Sequence, residues 1–171
     1  MNERFPTDKF ADVLTANQDF AATFSAQELT GTAREGLAII TCMDSRIDPL
    51  RIVGMTAGDV KILRNAGARV TDDVLRTLVL ATHLLGVNRV LVMPHTNCKM
   101  ASATAAEIHE ALGEASGFDT RSLDIAVVPD QVQALHDDII RIRALPYLPD
   151  DLTVGGAIYD VFTGELHPVD S

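Results

Sequence analysis

The stretch Leu37-Ala38-Ile39-Ile40-Thr41-Cys42-Met43-Asp44-Ser45-Arg46 decides the fold and contains the first candidate functional residues. It opens with a continuous apolar run, which is typical of a strand that is buried on both faces. Alternate residues at the end of a strand project to the same side, so Cys42 and Asp44 can face one space with Arg46 just beyond. A thiolate, a carboxylate and a guanidinium that converge at the end of a strand suit a core poorly, and they favour a metal site there.

A second apolar run, Val90-Leu91-Val92-Met93, leads to a second group of polar residues, His95-Thr96-Asn97-Cys98. In an open α/β sheet, ligands bind beyond the carboxyl ends of the strands, where the strand order reverses. The two groups therefore share one site if their strands are neighbours. We also expect Cys98 at the start of the following helix, where the helix dipole favours a thiolate.

Helical and strand-like patterns alternate along the chain. The spacing of apolar residues predicts helices over 7–30, 71–85, 98–112 and 129–142, and strands over 37–42, 60–63, 89–93, 152–161 and 165–169. The segment 122–128 is either a short strand or an extended connection. This alternation predicts an α/β fold with a mostly parallel central sheet flanked by helices and an antiparallel C-terminal edge hairpin. No linker divides the chain, so we expect a single domain over 1–171, with a helical arm (1–34) and an α/β core (35–171).

The composition limits the kinds of partner that the protein can have. The chain has 171 residues, of which 47% are hydrophobic, and its formal net charge is −10. This charge argues against nucleic acid or an anionic membrane surface as a partner. No apolar run approaches the roughly 18 residues of a membrane span, and the N-terminus lacks the apolar core of a signal peptide. We therefore expect a cytoplasmic protein, in which two cysteines are more often a ligand pair than a disulfide.

Cys42, His95 and Cys98 are candidate zinc ligands. Two thiolates and an imidazole suit tetrahedral zinc, and three protein ligands leave the fourth position for water, as in catalytic sites. Asp44 could instead be the fourth ligand. The spacing alone does not distinguish a zinc site from two buried cysteines and a histidine that only pack in the core. In the same way, Asp44 and Arg46 could be a plain surface ion pair.

The order of the motifs resembles that of the β-class carbonic anhydrase family. The motifs are Cys42-x-Asp44-Ser45-Arg46, Gly58-Asp59, Arg64-Asn65-Ala66-Gly67 and His95-x-x-Cys98. The resemblance covers residues 35–112 most strongly, and the tail over 157–164 is similar to that of a compact bacterial branch. It implies that Cys42, His95 and Cys98 bind Zn²⁺.

The same resemblance implies roles for further residues. Asp44 and Arg46 would form the catalytic dyad, and Asn65, Ala66 and Gly67 would lie by the substrate pocket. If Arg46 released Asp44, the carboxylate could bind zinc and close the site.

The resemblance also implies an activity and an assembly. The activity is the reversible hydration of carbon dioxide to bicarbonate by a zinc-bound hydroxide. The assembly is a homodimer in which the helix predicted over 7–30 embraces the partner, and higher oligomers remain open.

Two residues depart from the family pattern, because Pro94 and Lys99 stand where the family commonly has glycine. Lys99 is either a solvent-facing residue or a substrate contact. Relatives of the compact branch include enzymes that hydrolyse carbonyl sulfide or carbon disulfide. Both molecules are linear isosteres of carbon dioxide, so they are the alternative substrates. A catalytically silent zinc-binding protein is the second alternative, against which the intact pair of Asp44 and Arg46 argues.

Overall fold

In the computed structural model, residues 5–25 and 29–170 are described. They form the strands β1 (Leu37–Cys42), β2 (Val60–Asn65), β3 (Arg89–Met93), β4 (Thr153–Tyr159) and β5 (Leu166–Val169). These strands make one sheet in the order β2-β1-β3-β4-β5. All neighbouring pairs are parallel except β4 and β5, which are antiparallel. The predicted α/β fold with a C-terminal antiparallel edge is therefore confirmed.

The described residues also form the helices α1 (Ala11–Thr23), α2 (Pro49–Ile52), α3 (Asp72–Leu84), α4 (Ala105–Ser116) and α5 (Gln131–Arg143). Side-chain caps begin the long helices of the core. The Thr71 side chain accepts a hydrogen bond from the N–H of Val74 at the start of α3, and Asp130 caps α5 in the same way. Such caps satisfy backbone donors that the first turn of a helix leaves free. None of the described helices is long and apolar enough to cross a membrane.

The strand order reverses between β1 and β3. From β1 the chain runs first to β2 on one side and then returns to β3 on the other. The register pairs Thr41 with Met93, so the residues that follow both strands emerge at the same edge of the sheet. This edge is where ligands bind in open α/β sheets.

β1 is buried along its whole length, as its continuous apolar run predicts. Ala38 and Ile40 belong to an apolar cluster that includes Leu78 of α3 and Ile139 of α5. Ile39 belongs to a second cluster that contains both cysteines. Alternate residues of β1 therefore face opposite sides of the sheet, and both sides are covered.

The helix predicted over 7–30 is shorter in the structure. Residues Thr7–Lys9 form a 3-10 turn, α1 ends at Thr23, and the backbone of Phe24 is extended. Residues 26–28 of the prediction lie outside the described part of the chain. No residue of α1 is buried. Apolar spacing alone did not extend the helix, because helices gain most of their stability from packing and the apolar side chains of α1 stay exposed among the described residues.

The helix predicted over 98–112 is displaced along the chain. Lys99–Ala101 form only a 3-10 turn, and α4 starts at Ala105. Thr104 and Glu107 form a capping box that fixes this start, and Gly117 in a left-handed conformation ends the helix. Side-chain capping therefore outweighs the helix propensity of the alanine-rich residues before it. Residues 122–128 form an irregular connection and not a strand, with a turn at Ser122 and a bend at Leu123.

Candidate metal centre

Cys42, His95 and Cys98 converge at the carboxyl edge of β1 and β3. One possible ligand atom from each residue lies within 4.8 Å of those of the other two. All three residues are buried, and His95 is only 1% exposed. Cys42 is the last residue of β1, and His95 follows β3 after Pro94, so the pairing of the two strands brings them together. The predicted group of donors is thus present as one cluster that could hold a metal.

His95 has one ring nitrogen bonded and one free. Its Nδ1 lies 2.8 Å from the carbonyl oxygen of Thr96. Its Nε2 is buried without a hydrogen-bond partner. Among the described residues, it is the only buried side-chain nitrogen or oxygen that lacks one. Burial lowers the pKa of His95, which favours the neutral ring with its proton on Nδ1. The lone pair on Nε2 is then available, and with two thiols it completes a donor set that suits zinc.

The environment of Cys98 differs from the prediction. Cys98 precedes the short 3-10 turn rather than α4, so the predicted effect of a helix dipole on its thiol is wrong. Burial raises the pKa of the Cys98 thiol, and the neighbouring Cys42 raises it further, while the backbone N–H groups of Met100 and Ala101 lower it in part. The protonated thiol is therefore favoured, and metal binding must displace its proton.

Asp44 and Arg46 form a bidentate ion pair at the rim of the cluster. Nε of Arg46 donates to Oδ1 of Asp44 over 2.9 Å, and Nη2 donates to Oδ2 over 2.7 Å. These hydrogen bonds from the guanidinium hold the pKa of Asp44 far below its usual range, so the carboxylate is ionised. Oδ2 of Asp44 also lies 3.8 Å from Nε2 of His95, which is too long for a hydrogen bond. The carboxylate therefore lies beside the metal donors while its hydrogen bonds go to Arg46.

Asn97 also binds Arg46, and sequence reasoning missed it. Nη1 of Arg46 donates to Oδ1 of Asn97 over 3.0 Å, and Nη2 donates to the Asn97 carbonyl oxygen over 3.1 Å. Asn97 has a positive φ of 55°. The sequence does place an asparagine between the candidate ligands His95 and Cys98. Asparagine adopts left-handed backbone more readily than most residues, so its presence in this short turn could have indicated such a conformation beside the site.

Arg64 donates hydrogen bonds to the backbone of residues 42–44, which connect β1 to Arg46. It lies on β2, one residue beyond the end of the strand predicted over 60–63. Its Nε donates to the Cys42 carbonyl over 2.9 Å, and its Nη2 donates to the Asp44 carbonyl over 2.6 Å. Arg64 belongs to one of the sequence motifs, but the sequence alone assigned it no role. Its contact with these carbonyls depends on the pairing of β1 with β2, which the motif does not show.

The predicted pocket residues Asn65, Ala66 and Gly67 lie next to the turn that follows Cys98. A Cβ atom on Gly67 would lie 3.3 Å from Cβ of Met100, and Gly67 has a positive φ of 82°. Glycine therefore allows the close approach of the two turns. The Asn65 side chain is engaged within its own turn, since it exchanges hydrogen bonds with the backbone of Arg69.

The two departures from the family pattern occupy different environments. Pro94 is buried at the end of β3, and Lys99 is exposed. The solvent-facing alternative for Lys99 therefore agrees with its position.

Known proteins resemble this chain over most of its length. A family model described as carbonic anhydrase matches residues 37–127. The β-carbonic anhydrase 1 of Mycobacterium tuberculosis is 32% identical over 158 residues, which cover 92% of this chain and 96% of that protein. A crystal structure of carbonic anhydrase from Streptococcus mutans superposes with a TM-score of 0.88 at 35% identity, covering 98% of this chain and all of that one. A carbon disulfide hydrolase from Acidithiobacillus thiooxidans is 30% identical over 153 residues, covering 77% of this chain and 76% of that protein.

Proposed function

Because this chain belongs to the β-carbonic anhydrase family, we propose that it catalyses the zinc-dependent, reversible hydration of carbon dioxide to bicarbonate. The observation that carries this proposal is the buried Cys42, His95 and Cys98 cluster with an ionised carboxylate at its rim. A purely structural zinc site would have no use for the adjacent pair of Asp44 and Arg46. For this reason we prefer an enzyme to a silent zinc-binding protein.

The three buried donors would hold the zinc ion. When bound at a site with an open fourth position, zinc lowers the pKa of a coordinated water, and this supplies a nucleophile for carbon dioxide. The orphaned Nε2 of His95 supports this assignment, because a buried acceptor without a partner is costly unless something binds it.

Asp44 would orient the reacting water. Its Oδ1 accepts two hydrogen bonds from Arg46, one from the backbone N–H and one from Nε, whereas Oδ2 accepts one from Nη2. Oδ2 is also the oxygen nearest to His95, so its remaining lone pair can accept a hydrogen bond from a water at the cluster. An ionised carboxylate cannot donate, and the water must therefore direct a hydrogen to Asp44 and a lone pair to the carbon of the substrate.

Arg46 would keep Asp44 ionised and fixed in direction. A planar guanidinium bound to both carboxylate oxygens gives a geometry that a lysine ammonium cannot reproduce. The turn formed by Ala66–Ala68 would border the substrate, because it packs beside the turn that follows Cys98.

The protein would act as a homodimer in which α1 lies on a partner subunit. The apolar side chains of α1 are open to solvent in a single chain; Val13 is 57% exposed and Phe20 is 60% exposed. Covering such a face is a common reason for assembly. The two free thiols suit a reducing compartment, so we place the protein in the cytoplasm.

Rates with alternative substrates test the assigned reaction. Protein with verified zinc content would be assayed with carbon dioxide, carbonyl sulfide and carbon disulfide under matched conditions. We expect turnover to be fastest with carbon dioxide. Efficient hydrolysis of carbon disulfide without hydration of carbon dioxide would instead assign the activity named for the Acidithiobacillus thiooxidans relative.

A further inference from the structure

We propose that Asn97 is a positioning residue that fixes Arg46 and thereby keeps the Asp44 carboxylate off the metal. This role rests on the proposed function, because it requires that Cys42, His95 and Cys98 form a metal site. It determines whether Asp44 occupies the metal, and it does not depend on the identity of the substrate.

Arg46 is anchored from two sides. Asp44, after β1, receives hydrogen bonds from Nε and Nη2, and Asn97, after β3, receives hydrogen bonds from Nη1 and Nη2. All but one of the N–H groups of the guanidinium are used in this way. The side chain of Arg46 is 42% exposed, so packing alone does not hold it. Asn97 is thus the anchor that ties Arg46 to the loop that carries His95 and Cys98.

The backbone of Asn97 is shaped for this contact. Its φ of 55° places it in the left-handed region, where non-glycine residues are uncommon. In this conformation both the carbonyl oxygen and Oδ1 of Asn97 reach Arg46. Asparagine adopts this conformation at a lower cost than most residues, and non-glycine residues in the left-handed region cluster at functional sites where the surrounding structure maintains them.

Loss of the anchor would change the position of Asp44. Oδ2 of Asp44 is 3.8 Å from Nε2 of His95, so a small movement would bring the carboxylate onto a metal held by His95. Carboxylate oxygens are ordinary zinc ligands, and Arg46 competes with the metal for Asp44. An Arg46 that has lost the Asn97 side chain competes less well, and the population with Asp44 on the metal increases.

Cobalt(II) replacement provides a readout that needs no turnover. The visible spectrum of bound cobalt changes when thiocyanate coordinates, and thiocyanate requires the position that Asp44 would occupy. Asn97→Gly removes the amide but permits the same φ. We expect it to bind cobalt with the wild-type stoichiometry and to bind thiocyanate more weakly, by up to about fivefold, which is the limit that the loss of one hydrogen bond sets. Ser102→Gly places a glycine in the nearby exposed turn and should match the wild type.

A double-variant cycle tests whether Asn97 acts through Arg46. Arg46→Ala should weaken thiocyanate binding most, and adding Asn97→Gly to it should change nothing further. Wild-type affinity in Asn97→Gly, or an equal loss with and without Arg46, would overturn the inference. If wild-type protein responded normally to thiocyanate but did not hydrate carbon dioxide, the proposed function would fail and this inference would stand.

Discussion

The hydroxyl of Thr41 donates a 2.8 Å hydrogen bond to the carbonyl oxygen of Met93. Both residues are fully buried. Thr41 directly precedes Cys42, and Met93 ends β3 just before the loop that carries His95. The bond therefore joins β1 and β3 one residue before Cys42 and two residues before His95, next to the candidate metal donors, and helps to fix the distance between the two strand ends.

Replacing Thr41 tests the contribution of this bond to stability. Thr41→Val keeps the shape of the side chain but removes its hydroxyl donor. The buried carbonyl oxygen of Met93 then loses a hydrogen-bond partner that water cannot replace. We expect the free energy of unfolding to fall by about 1–2 kcal/mol. Thr41→Ser keeps the hydroxyl and serves as the matched control for side-chain polarity. Urea denaturation at fixed zinc occupancy measures the difference, and a Thr41→Val protein as stable as the wild type would refute the role of the bond.

Removing the metal should lower the stability of the fold. A ligand that binds only the folded state stabilises it, and the cluster exists only when β1 and β3 are paired. We expect one zinc per chain in the wild type, none in Cys98→Ser, and a lower melting temperature after treatment with a chelator. Elemental analysis and calorimetry measure these quantities. A melting temperature that is the same with and without the metal would contradict a site built from these residues.

The pH dependence of stability should report on Asp59. The carboxylate accepts hydrogen bonds from the N–H and hydroxyl of Thr56 and from Arg34, and these lower the pKa of Asp59. Because the folded-state pKa is below the unfolded value of about 3.9, the stabilisation is complete above that pH and is lost as pH falls through the folded-state pKa. The stability gap between the wild type and Asp59→Asn should therefore narrow below about pH 4. A gap that does not change with pH would exclude this linkage.

Charge on the apolar face of α1 should disrupt the proposed dimer. Phe20 is 60% exposed in the single chain, and a glutamate there would be buried without a partner in an interface. We expect Phe20→Glu to lower the molar mass measured by light scattering, whereas Gln18→Glu on the same helix should leave it unchanged. If both variants keep the mass of the wild type, α1 does not form the interface.

Much of the fold could be predicted from local pattern. β1, α3 and β3 lie where apolar periodicity placed them, because both faces of β1 are covered and α3 has one clear apolar face. The convergence of Cys42, His95 and Cys98 followed from one rule about strand ends, which needed only that β1 and β3 be neighbours. Their assignment as zinc ligands came from the family resemblance and stays a prediction.

The remaining features needed either a second local signal or the tertiary contacts. The start of α4 is set by the capping box of Thr104 and Glu107, a Thr-x-x-Glu pattern that is present in the sequence but that the prediction from alanine-rich spacing did not use. Asn97 accepts a hydrogen bond from Arg46, and Arg64 donates one to the Cys42 carbonyl. Both contacts connect residues from different strands or the loops that follow them, so they can be recognised only when the pairing of the strands is known. The end of α1 was missed because none of its residues is buried among the described residues, so no packing extends the helix.

Stopped-flow hydration of carbon dioxide by fully zinc-loaded protein, from about pH 7 to about pH 9, tests the proposed reaction. We expect rapid turnover that disappears in Cys98→Ser, and a loss of at least roughly a hundredfold in Asp44→Ala that retains its zinc. No turnover at full zinc occupancy anywhere in this range would contradict the proposed reaction. Near wild-type rates in Asp44→Ala would contradict the role given to the carboxylate.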